Sequence, residues 1–549
     1  MNPIGPATAE LALLLLLELG AAAAPAAGQT ESAARSAGER FFLTGLAADG
    51  RAVPAVVQGD LRVTSIEMPC AGCHRRSGWA GNEGTINVAP VAGPALFAPV
   101  TRGSREMGAL RTSGEGTRPA YTEATLMRAI REGIDPSGRT LAPTMPRYAL
   151  READATTLVA HLRSLSATPP PGVTDSEIHL ATVVSPGVEA ADRQAVHEVM
   201  RAFLKDKNAG TRHETRRRER GPWDMKQHYD AYRSWVLHEW ELTGPPGGWP
   251  AQLETLYQRQ PVFALVGGIV EGDASPLHDF AERMRLPTIL PQTPLPPART
   301  ATDGFYTLYF SRAAALEADL LAERLAHGAQ RRVLQIVRCG GPGEAAATRL
   351  NKRLASAVVT TLCYDGRIAP EVEGLNDVSA PGAAVVLWLA AADASRVLAE
   401  LPPATGIVYL SSSLLGSHAV RPSERLGDRV LLLEPQVPLD ELERHAWRSL
   451  VWLKAKGLSE LPQRVSLNAL YSMLLAAEAL SHPTALVSRE YFLERIEAMA
   501  ARSPHRSAYP EVVFGPVRRF GSAGGYVMQV PPSPQGAHRK AAEWTVPQS

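Results

Sequence analysis

Two cysteines three positions apart, followed at once by a histidine, constrain this chain more than any other stretch: Cys70-Ala71-Gly72-Cys73-His74. At this spacing each thiol can form a thioether to one vinyl group of a porphyrin, and the adjacent histidine is held under the iron as its proximal ligand. A zinc site would need two further ligands in a paired spacing, and no such pair is evident. A plain disulfide between Cys70 and Cys73 is the remaining reading, and it leaves the histidine unexplained. The motif occurs once in 549 residues. One covalently attached haem c passes one electron at a time, so the expectation is an electron carrier or redox subunit, not a catalyst in its own right.

The formal net charge is +1, which favours neither nucleic acid nor an anionic membrane as a partner. A hydrophobic content of 45% with 21% charged residues suits several ordinary globular domains. Residues 1–27 read as a signal peptide, with the apolar run Leu11–Leu17 and a small-residue cleavage region around Ala24-Pro25-Ala26. The signal is atypical, because no Lys or Arg precedes the run and Glu10 and Glu18 flank it. Covalent haem and an Ala-rich cleavage region both point to export, so a periplasmic location is expected. No later stretch is apolar for long enough to be an integral membrane segment.

Residues 38–166 form the module around the motif. Phe41-Phe42-Leu43 and Val53–Val57 are candidate strands about an Asp49-Gly50 turn. Past His74 the chain is rich in Gly and Pro up to about Arg118, as in loops that wrap a cofactor. Two amphipathic helices follow, over 122–132 with Thr122 as N-cap and Gly133 as stop, and over 151–165. The proline-flanked loop between them, 135–148, is the place to seek a second axial ligand. Together the C-x-x-C-H, the Arg131-Glu132-Gly133 helix end, the Pro143-x-Met145-Pro146 loop and the closing helix resemble a class I c-type cytochrome. The resemblance implies an all-α domain in which Met145 is the distal iron ligand opposite His74. Met68 and Met127 are weaker candidates, and His161 is the bis-histidine alternative.

Residues 167–176, with Thr168-Pro169-Pro170-Pro171-Gly172, read as a stiff linker. Beyond it, apolar runs without alternation recur between helical patterns. The strands are expected at 178–184, 262–266, 333–337, 358–362, 384–389, 407–410 and 430–433, and the helices at 190–205, 275–285, 313–327, 344–355 and 391–400. This texture implies parallel sheets covered on both faces, and too many units for one sheet.

The opening strand from Ile178, the Pro261–Gly268 stretch, Arg285–Pro291 and Phe305–Arg312 make residues 177–535 similar to the type I periplasmic binding proteins of the branched-chain amino-acid class. Two α/β lobes with a ligand cleft between them are implied. By position, Gly267, Gly268, Gln292 and Thr293 would face the ligand from one lobe, and Ser411, Ser412 and Ser413 from the other; ordinary turn roles for all of them stay open. The chain departs from that pattern at 213–220, where a second strand is expected but His-Glu-Thr-Arg-Arg-Arg-Glu-Arg stands. The 235–249 region and a hairpin-like 512–530 stretch are additions without a place, and 536–549 reads as a disordered tail.

Cys339 and Cys363 end consecutive strands, and a disulfide between them is open. The basic run Arg216-Arg217-Arg218-Glu219-Arg220 is a solvated face or a docking patch for an acidic partner. Neither a hydrolase nucleophile turn nor a phosphate loop is present. The expected function is an exported monohaem cytochrome fused to a solute-binding-like domain, its redox partner a periplasmic dehydrogenase or another cytochrome. The alternative is a periplasmic binding protein for uptake or sensing of an amino-acid-like small molecule, with an accessory haem module.

Overall fold

The computed structural model describes residues 27–79, 82–83, 86–100, 117–220, 233–297, 304–328, 332–354, 358–366, 382–418, 420, 422, 424–481, 487–532 and 538–548, with side chains omitted for 27–35, 82–83, 86–87 and 211–220. Residues 1–26 of the expected signal peptide and the side chains of the basic run at 216–220 lie outside the described set. Among the described residues no helix is long and apolar enough to cross a membrane. The chain divides after Ala167 into two compact units.

The first unit is built on α1 (Ala27–Thr44), β1 (Pro54–Val57), β2 (Leu61–Thr64), α2 (Cys70–His74), α3 (Glu123–Glu132), β3 (Arg147–Tyr148) and α4 (Glu152–Ser164). It is not all-α, because β2-β1-β3 form a three-stranded antiparallel sheet. Phe41-Phe42-Leu43, expected as a strand, closes α1. A short apolar run fits either period, and here burial of both Phe41 and Phe42 beside Leu158 and Leu162 decides for helix. α3 starts where Thr122 and Thr125 satisfy each other's backbone N–H in a capping box, and it stops at Gly133, whose φ of 74° is left-handed.

The second unit has two lobes. The first holds β4 (Glu177–Val184), α5 (Ala190–Arg220), β5 (Ser234–Glu241), α6 (Trp249–Arg259), β6 (Ala264–Val266), α7 (Ser275–Arg283), β7 (Thr288–Ile289) and β8 (Thr307–Leu308). Its sheet is wholly parallel, in the order β8-β7-β6-β4-β5. The segment at 213–220 continues helix α5, and the missing second strand is β5, supplied by the region around Trp235.

The second lobe begins with α8 (Ala314–His327), β9 (Arg332–Arg338), α9 (Gly343–Arg353), β10 (Val358–Tyr364), β11 (Ala383–Trp388), α10 (Ala391–Glu400), β12 (Ile407–Ser411) and β13 (Val430–Glu434). The chain then returns to the first lobe as α11 (Leu439–Ala455), α12 (Gln463–Leu480) and α13 (Arg489–Met499). It ends in the second lobe as β14 (Gly525–Gln529) and β15 (Arg539–Thr545). The second sheet runs β10-β9-β11-β12-β13-β14-β15, parallel up to β13 and antiparallel after it. Residues 539–545 therefore form an edge strand, not a disordered tail; Trp544 packs on Tyr526 and Lys540 reaches Glu441 at 2.6 Å.

Strand composition explains both sheets. In β4, Leu180 and Val184 enter one core while Ala181 and Val183 enter the core on the opposite face. In β9, Leu334 and Ile336 face one way and Val333 and Val337 the other. Helices cover each face, so both sides of the central strands are mostly apolar, and the buried Gln335 of β9 is met by hydrogen bonds from Trp388 and to Asn351. Cys339, just after β9, and Cys363, near the end of the neighbouring parallel strand β10, have Cα atoms 5.0 Å apart and are joined by a disulfide.

Three crossovers join the lobes, at 309–313, 435–438 and 519–524. The first and third run side by side: Gly521 N–H donates to Tyr309 O at 3.0 Å, and Ser522 N–H to Phe310 O at 2.7 Å. Arg519 anchors this pair through an ion pair with Glu497 on α13, with side chains only 2% and 3% exposed. Removing one member strands the other charge in the core, so Arg519→Met should cost about 3–5 kcal/mol in urea denaturation, and Glu497→Gln on that background should recover part of the loss.

Candidate functional site

In the first unit the motif forms the one-turn helix α2, with Cys70 and Cys73 not bonded to each other. Cys70 packs against the core, and burial pushes its thiol up to about 12, so it is protonated at neutral pH. His74 Nδ1 lies 2.8 Å from Ala89 O. That carbonyl can only accept, which puts a ring proton on Nδ1 and turns Nε2 away from it.

The Met145 loop is tied to the same region. Arg147 donates to Met145 O at 2.5 Å, Leu141 O at 3.0 Å and Ala142 O at 3.2 Å. Its guanidinium fills the space a Cβ would need at Gly133, 1.9 Å away. Gln58 N–H donates to Pro143 O, and β3 pairs with β1. Tyr148 then donates to Met68 O at 2.6 Å, two residues before Cys70. Burial, then the charges of Cys70 and Cys73, raise the Tyr148 hydroxyl above its ordinary value. His161 is buried, its ring against Phe42 at 5.3 Å; Met127 is core filler at the edge of the same cluster. Two thiols outside any disulfide, an imidazole whose Nδ1 is tied to a backbone carbonyl and a braced methionine loop are the donor set that a c-type haem would need. Among the described residues no group of three His, Cys, Asp or Glu side chains is placed to hold a metal ion.

In the second unit a cleft of about 540 Å³ opens between the lobes beside the crossovers. Both parallel sheets point strand C-termini at it, the usual place for a ligand in such sheets. Asp192 from the first turn of α5, Glu271 after β6, Gln292 and Thr293 after β7, and Arg464 and Asn468 of α12 line the first-lobe wall. Ser412, Ser413, Ser417 and His418 line the other, with Tyr309, Phe310 and Glu434 at the crossovers.

Of the residues proposed from sequence, Gln292, Thr293, Ser412 and Ser413 reach this cleft. Gly267, Gly268 and Ser411 do not line it. Gly267 and Gly268 take φ of 57° and 88° in the turn leaving β6, and a Cβ on Gly268 would meet Val183 O at 2.4 Å. Gln292 is held inside its own lobe, accepting from Asn468 Nδ2 at 3.1 Å. The serines are already engaged. Ser411, Ser412 and Ser413 all donate to Glu317 of α8, which is fully buried; Ser413 contributes its N–H at 2.9 Å and its Oγ at 2.7 Å. Ser412 also lies 3.2 Å from Glu434, which pairs with Arg464 at 2.7 Å. Sequence reasoning missed Asp192, Glu271, His418 and the Glu317 buttress. Isolated acids on helices carry no local pattern; only an apolar helix face interrupted by Glu317 hinted at a buried partner.

No protein-family model and no curated protein matches the chain. Solved structures similar to it include LivJ, the branched-chain amino acid transporter substrate binding protein from Streptococcus pneumoniae in complex with isoleucine. It is 11% identical, with a TM-score of 0.47, over 67% of this chain and 100% of that one. A branched chain amino acid ABC transporter protein from Thermus thermophilus with bound valine is 12% identical, with a TM-score of 0.48, over 68% and 97%. An ABC transporter substrate-binding protein from Sphaerobacter thermophilus is 14% identical, with a TM-score of 0.49, over 68% and 98%. The sheet orders and crossovers described above make the second unit a two-lobed α/β fold built on parallel sheets.

Burial, opposed by the serine donors, raises the Glu317 carboxyl from 4.5 to about 7. The folded state therefore holds that proton more tightly than the unfolded chain. Its contribution to stability is full below about 4.5 and is lost as pH rises through about 7. Thermal melts should show wild-type Tm falling between roughly pH 5 and 8 relative to Glu317→Gln, in which the slope flattens.

Proposed function

We propose that this chain is an exported solute-binding protein with an accessory c-type haem module. The observation that carries the reading is the interlobe cleft, of a size suited to a small organic molecule of amino-acid dimensions, set at strand C-termini between three crossovers. Such crossovers are natural hinges, since a few residues can absorb the rotation that closes two rigid lobes on a ligand. The Cys339–Cys363 disulfide supports an oxidising compartment, in keeping with export to the periplasm.

In the first unit, Cys70 and Cys73 would hold the haem covalently, and His74 and Met145 would be the side chains that ligate its iron. When bound, the haem supplies reversible one-electron transfer. Ala89 O keeps the His74 ring oriented, and Arg147 keeps the methionine loop in place. A periplasmic dehydrogenase or another cytochrome is the proposed electron partner, and solute occupancy is what the electron would report or serve.

Two measurements test the two halves separately. Protein matured in a host that attaches haem c should keep its Soret band after acid-acetone extraction, and its reduced spectrum should not change with CO. Met145→Ala should make it CO-sensitive, whereas Cys70→Ala with Cys73→Ala should lose the pigment. For the cleft, thermal-shift screening against amino acids and small amines should find a stabilising solute; a ligand at about 100 times its Kd adds about 2.7 kcal/mol. A screen with no shift would count against the solute-binding half and leave the haem half standing.

A further inference from the structure

We propose that the ligand of the cleft carries a cationic amine, seated between Asp192 and Glu271 of the first lobe and Ser417 of the second. The proposal rests on the solute-binding reading and names its substrate class. Asp192 is 7% exposed and lines the cleft. Its Oδ2 accepts from Ser417 Oγ across the lobes at 2.8 Å, while Oδ1 accepts no hydrogen bond among the described residues. A nine-tenths-buried carboxylate oxygen without a donor is costly unless something else supplies one.

The neighbourhood does not supply it. Glu271 also lines the cleft, and the one imidazole on the second-lobe wall, His418, turns its Nε2 to Glu189, just before α5, at 3.4 Å. Burial raises the Asp192 carboxyl, with the Ser417 hydroxyl opposing it, and Glu271 stays open to the cleft and exposed. Arg464 directs its two terminal nitrogens to Glu434 at 2.7 Å and Val437 O at 2.8 Å, and only its Nε is left without a partner among the described residues. His538, also on the lining, is pushed towards its neutral form by burial. Among the described lining residues Arg464 is the one arginine, and its forked end is already turned to Glu434 and Val437, away from a ligand carboxylate. An alkylammonium presents three N–H donors, and Asp192 Oδ1, the Glu271 carboxylate and the Ser417 lone pairs offer three acceptors. A chelated metal fits less well, because the described residues gather no three-ligand group.

Isothermal titration of the full-length protein with three probes of similar size separates the possibilities: n-hexylammonium chloride, L-leucine and sodium hexanoate. Hexylammonium is expected to bind at least about tenfold more tightly than leucine, with no measurable binding of hexanoate. Asp192→Asn should weaken hexylammonium by about tenfold or more while the ligand-free protein melts no lower than wild type, since an uncompensated buried charge is gone. Leucine or hexanoate binding as tightly as the amine, or an Asp192→Asn variant that binds hexylammonium unchanged, would overturn the amine subsite and leave solute binding intact. Binding of none of the three would overturn both.

Discussion

The ion pair between Glu434 and Arg464 sits where the chain leaves the last parallel strand of one lobe for the helices of the other. Glu434 is buried, so its charge has to be met at close range, and Arg464 of α12 meets it. That requirement fixes how the second crossover enters the first lobe. It also connects to Ser412, and through the serine turn to Glu317 under the second lobe. The wall of the cleft is thus one polar network spanning both lobes, in which each buried acid is held by donors from a different element.

This network explains an asymmetry in the cleft. Near the crossovers the acids are satisfied: Glu434 by Arg464, and Glu317 by three serines. At the far end Asp192 and Glu271 both line the cleft, and Asp192 has one oxygen on Ser417 and the other without a donor among the described residues. Satisfied acids stiffen the hinge side, and unsatisfied ones leave a binding surface with a definite sign. The Asp192–Ser417 bond and the Glu189–His418 contact cross the gap at that same end, so a ligand seated there would bear on lobe closure as well as on recognition.

The first unit follows a different logic. Its core around Phe41, Phe42, Leu126 and Leu158 is small, and much of its order comes from arginine and backbone carbonyl contacts that brace loops. Bracing of this kind suits a cofactor scaffold, where ligands at both ends of a prosthetic group must be held although few side chains intervene. The Tyr148 bond to Met68 O is the clearest instance, since it links the methionine loop to the cysteine helix directly.

What the sequence by itself determined is what local pattern encodes. The C-x-x-C-H spacing, the Thr122 and Gly133 caps, and the buried strands from Ile178 to Leu433 depend on residues within a few positions of one another. Short apolar runs were less secure: Phe41-Phe42-Leu43 could be helix or strand until its packing against α4 was known, and the edge strand Arg539–Thr545 looked like a tail because an edge strand need not be apolar. Tertiary structure alone decided the site. Ser411 points at Glu317, 94 positions earlier, and Asp192 meets Ser417, 225 positions later. Contacts at such separations are set by how two sheets and three crossovers close on each other, and no local periodicity records them.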